Sequence, residues 1–331
     1  MTCAFKWHQA FLPSLLLIML VPAARAGGPR YVAGSTYFDS SVKGTPLTWA
    51  AGNVTYYTDQ GDLSSILPGP AADAFVADAF TRWMSIATVA LSATRAGQLA
   101  EDVSAANVTV TATGITSPTD ILPSAISFPV AIVYDADGAV TNALLGQGAG
   151  DPNACFNNAV FGGIDNFSTD AHLLHAFVVL NGNCAQTPTQ LPDLKYRLVR
   201  VLGRVLGLDA SQTNPNVFTR HPAPTSADYA GLALMHSVDT PNCVPISLCY
   251  PNPDQPKMDD RAALSRLYPV TAANQQNFPA KLPLADNTAR VHGSVFFVDA
   301  NAQPAQPMQG VNVVARWIDP TTGLPSPTYV A

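Results

Sequence analysis

Residues 200–211 read RVLGRVLGLDAS, and they form the end of the most regular helical pattern in the chain. Apolar side chains recur at helical spacing in and before this stretch, which predicts one buried face. These side chains are Leu194, Leu198, Val201, Leu202 and Val205. We predict a helix that begins after Pro192 with Asp193 as its N-cap. Gly207 is the residue type expected just after such a helix ends.

The segments on either side of this helix indicate a mixed fold. AADAFVADAFTRWMSIA (71–87) and MDDRAALSRLYP (258–269) each carry an apolar helical face, and Pro269 stops the second. β-branched content and alternation predict strands over 53–59, 107–112, 128–134 and 173–180. Because strands and helices mingle without strict βαβ alternation, we predict an α/β (α+β) fold. Its core would be a twisted mixed sheet with long helices.

Residues 1–26 are typical of a secretory signal peptide. Lys6 precedes the apolar stretch FLPSLLLIMLV, and Ala24-Arg25-Ala26 matches an A-x-A cleavage site. The apolar stretch is shorter than the roughly 20 residues of a membrane span, although an uncleaved anchor is the alternative. We therefore expect a secreted protein, extracellular or periplasmic, with no membrane span after signal removal.

Charge argues against several classes of partner. The whole chain has 17 basic and 23 acidic residues, and loss of Lys6 and Arg25 leaves a net charge of −8. No long run of Lys and Arg interrupts this acidic balance. A chain of this kind is a poor candidate for binding nucleic acid or anionic membranes.

Four cysteines remain once the signal is removed, and they allow three pairings. They are Cys155, Cys184, Cys243 and Cys249. Pro245 favours a turn in the short loop between Cys243 and Cys249 that could bring these two together, and pairing Cys155 with Cys184 would close a second loop. A four-thiolate zinc site is the alternative, but no C-x-x-C spacing supports it. We predict two disulfides formed in an oxidising compartment.

The glycine spacing of residues 200–211 resembles the zinc-binding stretch of the matrixins, a branch of the metzincin metallopeptidases, with the pattern H-E-x-G-H-x-L-G-L-x-H-S. The matching residues are Gly203, Leu206, Gly207, Leu208 and Ser211. The helix around Trp83, Met235 as a Met-turn and the helix at 258–269 extend the resemblance over about residues 50–270. The resemblance implies a metzincin-like domain over 27–269, in a family of zinc-dependent endopeptidases.

The residues that differ from this pattern stand at the positions that bind zinc and catalyse hydrolysis in the family. Arg200, Arg204 and Ala210 stand at the positions of the three zinc-binding histidines, and Val201 stands at that of the catalytic glutamate. A guanidinium group has no lone pair for a metal, and valine cannot act as a general base. We therefore predict no zinc cofactor and no catalytic residue, which favours a pseudo-peptidase with a binding or structural role. The alternative is an active zinc endopeptidase with displaced ligands.

Histidines elsewhere are the candidates for displaced ligands. His236 follows Met235, which in the family lies beneath the metal, so it is the nearest candidate. His172 and His175 would point to opposite faces of one strand, and His221 is expected on a loop. We interpret these side chains as solvated or core histidines.

Several basic residues lie on the predicted helix that contains residues 200–205, called here the motif helix. Arg197, Arg200 and Arg204 share one face, with Lys195 nearby. We expect a solvated helix face. The alternative is that the cleft corresponding to the family's active site binds an anion. That anion would be a peptide or acidic ligand, or a carboxylate of this chain. The carboxylates considered are Asp209, Asp228 and Asp239.

Asp135-Ala-Asp137-Gly138 has the beginning of a calcium-loop pattern but no Glu at the twelfth position. Asp-Gly between two β-rich runs favours a hairpin turn. Matrixin relatives often use structural calcium, so calcium is the second interpretation of this segment.

Composition changes after Pro269. Residues 270–289 are rich in Asn, Gln, Pro and Ala, which is typical of a linker, and strands are predicted at 290–298 and 311–317. Gly293, Gly310 and VNVVARW (311–317) resemble the opening of carboxypeptidase-regulatory-like modules, which are small transthyretin-like β-sandwiches. We expect residues 290–331 to be a truncated β-sandwich from a longer protein.

Overall fold

A computed structural model describes residues 28–111, 114–211, 214–221, 223–237, 246–289, 291, 293–307, 313 and 315–330. The predicted signal peptide, residues 1–26, lies outside these ranges. Strands are β1 Thr48–Trp49, β2 Asn53–Thr58, β3 Ser92–Gln98, β4 Thr109–Thr111, β5 Gly114–Thr116, β6 Val130–Asp135, β7 Val160–Phe167, β8 His172–Asn181, β9 Phe296–Val298, β10 Pro304–Pro307, β11 Arg316–Ile318 and β12 Pro325–Val330. Helices are α1 Gly69–Met84, α2 Ala139–Leu145, α3 Cys155–Asn158, α4 Leu191–Val205, α5 Pro215–Thr219, α6 Ser226–Ala230, α7 Met258–Leu267 and α8 Leu284–Asn287.

The predicted mixed α/β class is confirmed by a six-stranded sheet. Its strands run in the order β1-β8-β6-β2-β3, with parallel neighbours, and β7 pairs antiparallel with β8. Every residue of β6 is buried, as expected for a central strand covered on both faces. Val130, Ile132 and Tyr134 pack in the core that includes α1 and α4, whereas Ala131 and Val133 pack in a smaller core with α2.

The Asp135–Gly138 segment is not a hairpin turn, so that prediction is wrong. It connects β6 to α2. The carboxylate at the end of β6 binds the N–H groups of the first turn of α2, which stabilises the helix there. The Asp135 carboxylate accepts hydrogen bonds from the backbone N–H of Val140 and of Thr141, and from the Thr141 hydroxyl. Asp-Gly here allows the chain to turn, but the next segment is helical.

The motif helix α4 is built as its apolar pattern predicts. All five predicted core side chains on it are buried. Gly207 has a φ of +92°, and its N–H donates to Arg204 while that of Leu208 donates to Gly203, which is the Schellman arrangement. The predicted N-cap is wrong, because Gln190 precedes the helix and Asp193 lies inside its first turn. The Asp193 carboxylate instead accepts from the backbone N–H of Ile246 at 2.7 Å.

Aromatic side chains from three segments bind carbonyl groups of α4 and of the residue that follows it. The indole N–H of Trp83 donates to Val199 at 2.8 Å, and that of Trp49 donates to Val205 at 2.8 Å. The Tyr268 hydroxyl donates to Leu206 at 3.0 Å. These bonds join α1, β1 and the end of α7 to one helix.

Gly203 allows Trp83 and Met235 to pack closely against α4. A Cβ atom at this position would lie 2.6 Å from the Met235 sulfur and 2.7 Å from Cζ2 of Trp83. Both distances are shorter than van der Waals contact allows. The glycine is therefore required by packing rather than by its backbone angles.

The cysteine pairing is confirmed where the structure describes it. Cys155 and Cys184 form a disulfide with their Cα atoms 5.5 Å apart, which removes the four-thiolate zinc alternative. Cys249 is also disulfide-bonded. Cys243 lies outside the described residues.

The segment predicted as a linker is hydrogen-bonded to the rest of the fold. The Lys281 ammonium donates to the carbonyl groups of Met84, the last residue of α1, and of Ile86, and the backbone N–H of Leu282 donates to Ala87 at 2.8 Å. Val270 is buried. Residues 281–284 thus lie along the end of α1.

The tail forms two small antiparallel sheets, β9 with β10 and β11 with β12. β9 and β11 fall in the predicted strand segments, although residues 290, 292, 308–312 and 314 lie outside the described residues. Apolar side chains on this part are exposed, among them Val291, Val298 and Val313. The truncated β-sandwich stays a prediction.

Substitution Gly203→Ala should lower the free energy of unfolding by about 1–3 kcal/mol because the added methyl group overpacks the contact with Trp83 and Met235. Helix propensity alone predicts the opposite sign, a gain of roughly 1 kcal/mol. Chemical denaturation of both proteins measures the difference. A more stable alanine variant would contradict the close approach.

Candidate functional site

Arg200, Tyr196 and His236 form a buried hydrogen-bonded cluster beside helix α4. The Arg200 guanidinium donates through Nη1 to the Tyr196 hydroxyl at 3.0 Å and through Nη2 to the backbone carbonyl of His236 at 2.5 Å. The Tyr196 hydroxyl also lies 2.9 Å from Nε2 of His236. One tyrosine thus joins Arg200 on α4 to His236 in the turn after Met235.

Aromatic rings surround this cluster. The His236 ring lies 6.3 Å from that of Tyr196, 6.3 Å from Phe218 and 6.0 Å from Tyr250. The guanidinium carbon of Arg200 lies 5.2 Å from the centre of the Tyr196 ring, within the range of a cation–π contact. The positive charge is therefore held by hydrogen bonds and by the face of a ring.

The expected solvated face is wrong for Arg200 and for its neighbour Lys195. Arg200 is only 8% exposed, and its guanidinium is bound by the Tyr196 hydroxyl and the backbone carbonyl of His236. The Lys195 ammonium donates to the carbonyl of Phe75 and to the Asp78 carboxylate, both at 2.8 Å, and so joins α4 to α1. Arg197 lies over the ring of Phe156 at 4.9 Å.

Two of the three carboxylates considered as partners for the arginines bind residues elsewhere in the fold. Asp209 is exposed and lies 3.7 Å from the Arg30 guanidinium. Asp228 accepts hydrogen bonds from the Asn214 amide and from the backbone N–H and hydroxyl of Thr225, where it forms a capping box for α6. Asp239 lies outside the described residues.

Met235 lies in a turn that packs beneath α4 at Gly203. The buried carboxylate of Asp260 accepts from the backbone N–H of Leu234 at 2.7 Å and of Met235 at 2.9 Å. It also accepts from the N–H of Lys257 at 2.8 Å, so α7 holds the turn in place. Burial raises the pKa of Asp260 to about 6, although these N–H donors act in the opposite direction. Identity with the family's Met-turn stays a prediction.

The four positions of the zinc motif do not fit a zinc ion. Arg200 offers only donors, and Val201 is a core side chain that is 6% exposed. Arg204 carries a second fixed positive charge one helical turn further on, and Ala210 is exposed with no ligand atom. Nε2 of His236, the alternative ligand, lies in hydrogen-bond contact with Tyr196. Among the described residues, no group of three or more His, Cys, Asp or Glu side chains could hold a metal ion.

The other candidate histidines, His172, His175 and His221, differ in burial. His175 is fully buried in β8, with Nδ1 2.6 Å from the Asp165 carboxylate, and its Nε2 has no hydrogen-bond partner among the described residues. His172, earlier in the same strand, is partly exposed, and His221 lies exposed after α5. The predicted contrast between His172 and His175 thus appears as a difference in burial.

Tyr196 and Asp260 are the residues of the site that the sequence did not single out. Tyr196 lies four residues before Arg200, so helical spacing alone places the two side chains together. Asp260 lies at the third position of α7, where carboxylates commonly bind backbone N–H groups. Its contact with the Met235 turn joins segments 25 residues apart, and no local pattern indicates it.

No family model matches this chain, and a search of the curated proteins finds no match. Within the described ranges, no helix is both long enough and apolar enough to cross a membrane.

Substitution Arg200→Met should lower the free energy of unfolding by about 1–3 kcal/mol, because it leaves the Tyr196 hydroxyl and the His236 carbonyl without their donor. The matched control is Arg266→Met, at an exposed position on α7, which should change stability by less than about 0.5 kcal/mol. Thermal and urea denaturation measure both. Equal effects of the two substitutions would mean that Arg200 is solvated.

Asp260 should make stability depend on pH in a defined direction. Between its ordinary value of 3.8 and about 6, the folded protein retains a proton that the unfolded chain has lost. The contribution of this group is therefore largest in acid and is lost as pH rises through the folded pKa. The stability advantage of the wild type over Asp260→Asn should shrink from about pH 4 to about pH 7, on the order of 1–3 kcal/mol. A constant difference over this range would contradict the assignment.

Proposed function

We propose that this protein is a secreted matrixin-like pseudo-peptidase, a metallopeptidase-family domain without zinc that has a binding or structural role. The observation that carries the proposal is the cluster of Arg200, Tyr196 and His236. A guanidinium group lies where a zinc-binding imidazole would be, and its hydrogen bonds to Tyr196 and His236 hold it there. A cluster of this kind stabilises the fold and leaves the ion no lone pairs.

Electrostatics supports the absence of a metal. Arg200 and Arg204 are one helical turn apart, and each would repel a divalent cation by roughly 1–4 kcal/mol at close range. Nε2 of His236, the alternative ligand, lies 2.9 Å from the Tyr196 hydroxyl, so metal binding through this nitrogen would break that hydrogen bond. A zinc site normally needs three protein ligands, and the described residues near His236 do not supply the other two.

Hydrolysis of peptides needs a general base as well as a metal-bound water. Val201 has no proton acceptor, and its side chain packs into the core with Leu198 and Leu202. The position therefore contributes to stability rather than to chemistry. A peptidase active at this site would need a base from another segment.

Export rests on residues 1–26 and on the cysteines. The charged start, the apolar stretch and the A-x-A site together favour secretion, and the Cys155–Cys184 disulfide suits an oxidising compartment. An extracellular or periplasmic location follows from the same two features. The resemblance of the tail to carboxypeptidase-regulatory-like modules also favours a role in binding or spacing.

The direct test is the metal content and chelator sensitivity of purified wild-type protein. We expect substoichiometric zinc by mass spectrometry, no shift in melting temperature with 1,10-phenanthroline, and no hydrolysis of a casein substrate. The matched variant restores the motif with Arg200→His, Val201→Glu, Arg204→His and Ala210→His, and should bind zinc where the wild type does not. Stoichiometric zinc in the wild type, with hydrolysis lost on chelation and regained with zinc, would overturn the proposal and favour displaced ligands.

A further inference from the structure

A groove of about 870 Å³ lies between α7 and residues 282–289, away from the motif helix. Its second wall is held in place: Lys281 binds the carbonyl groups at the end of α1, Leu282 donates to Ala87, and Leu284 donates to Val270 at 2.9 Å. The groove is therefore formed before any ligand binds, and a ligand would not have to order that wall.

The walls of the groove differ in chemistry. Arg261 and Arg266 lie on α7 and are exposed, and neither guanidinium forms an ion pair with any described residue. The facing wall is largely apolar, with Leu282 47% exposed and Leu284 partly exposed. Asp286 is the acidic residue of this wall, so the two arginines leave the groove with an excess of positive charge.

We infer that this groove binds an extended peptide segment of another protein that carries both acidic and apolar side chains. Arg261 and Arg266 both border the groove, and because they are five residues apart on a helix they lie about 7.5 Å apart along its axis and about 140° apart around it. An extended peptide in the groove would therefore meet the two guanidinium groups at separate points, and each can bind one carboxylate.

Apolar side chains of the same peptide would contact the facing wall formed by Leu282 and Leu284. Arginine suits this arrangement because its planar fork binds a carboxylate through two hydrogen bonds. The segment recognised therefore combines acidic with apolar side chains. Binding at the groove needs no metal and does not depend on whether the site around Arg200 and His236 is catalytically inactive.

The test uses a fluorescein-labelled peptide containing Glu-Leu-Glu flanked by Gly and Ser, with the Gln-Leu-Gln peptide as the probe control. Fluorescence anisotropy with the full chain measures both affinities. We expect the Glu peptide to bind at least about tenfold more tightly than the Gln peptide, and high salt to weaken it.

The protein variants test the location. Arg261→Glu with Arg266→Glu should weaken binding at least about tenfold, and Arg261→Gln with Arg266→Gln should weaken it in the same direction with less change in net charge. The charge-matched control, Lys43→Glu with Arg220→Glu, alters exposed residues outside the groove and should change affinity less than about twofold. Circular dichroism confirms that each variant is folded.

Several outcomes would overturn the inference. They are no binding of the Glu peptide at about 1 mM, equal binding of the two peptides, or equal losses in the groove and control variants. Dimerisation of the wild type that the arginine substitutions abolish would assign the groove to a second copy of the chain and would also reject the peptide. The zinc content of the wild type is measured separately, so a failure of peptide binding does not test the proposal that the protein is a zinc-free pseudo-peptidase.

Discussion

The close approach of Trp83 and Met235 to α4 is the constraint on which the site depends. With hydrogen as the side chain at Gly203, the Trp83 indole reaches the Val199 carbonyl and the Met235 sulfur packs against the helix backbone. The Met235 turn is in turn bound by Asp260 on α7. Helix α1 directly, and α7 through the Met235 turn, are thereby positioned against one glycine of α4, and a single methyl group would separate them.

The position of the cluster follows from this packing. His236 comes directly after Met235, and Arg200 lies one helical turn before Gly203, so both are brought to the same part of α4. Tyr196 lies one further turn away and bridges them. Gly203 and Gly207, which agree with the matrixin pattern in the resemblance, are required by packing and by the backbone angle respectively. Arg200 and Val201, which differ from that pattern, are both buried.

Helix α7 connects the two surfaces for which we propose roles. Its buried side supplies Asp260 to the turn beneath the motif helix, and its exposed side supplies Arg261 and Arg266 to the groove. The two arginine-containing sites differ in exposure: Arg200 is covered and hydrogen-bonded within the fold, whereas the groove arginines face solvent. A guanidinium with its donors already used stabilises the protein, while one in an open groove can bind a carboxylate.

The sequence by itself determined the features that depend on short-range periodicity and composition. The apolar face of α4, the strands β2, β6 and β8, and the end of the motif helix at Gly207 could all be predicted from spacing and residue type. Only the tertiary structure decided that Arg200 is buried, that Asp135 begins a helix rather than a hairpin, and that Asp193 binds Ile246 instead of capping α4. The physical reason is that burial and hydrogen-bond partners depend on segments distant in the chain, whereas periodicity records only which face of one element is apolar.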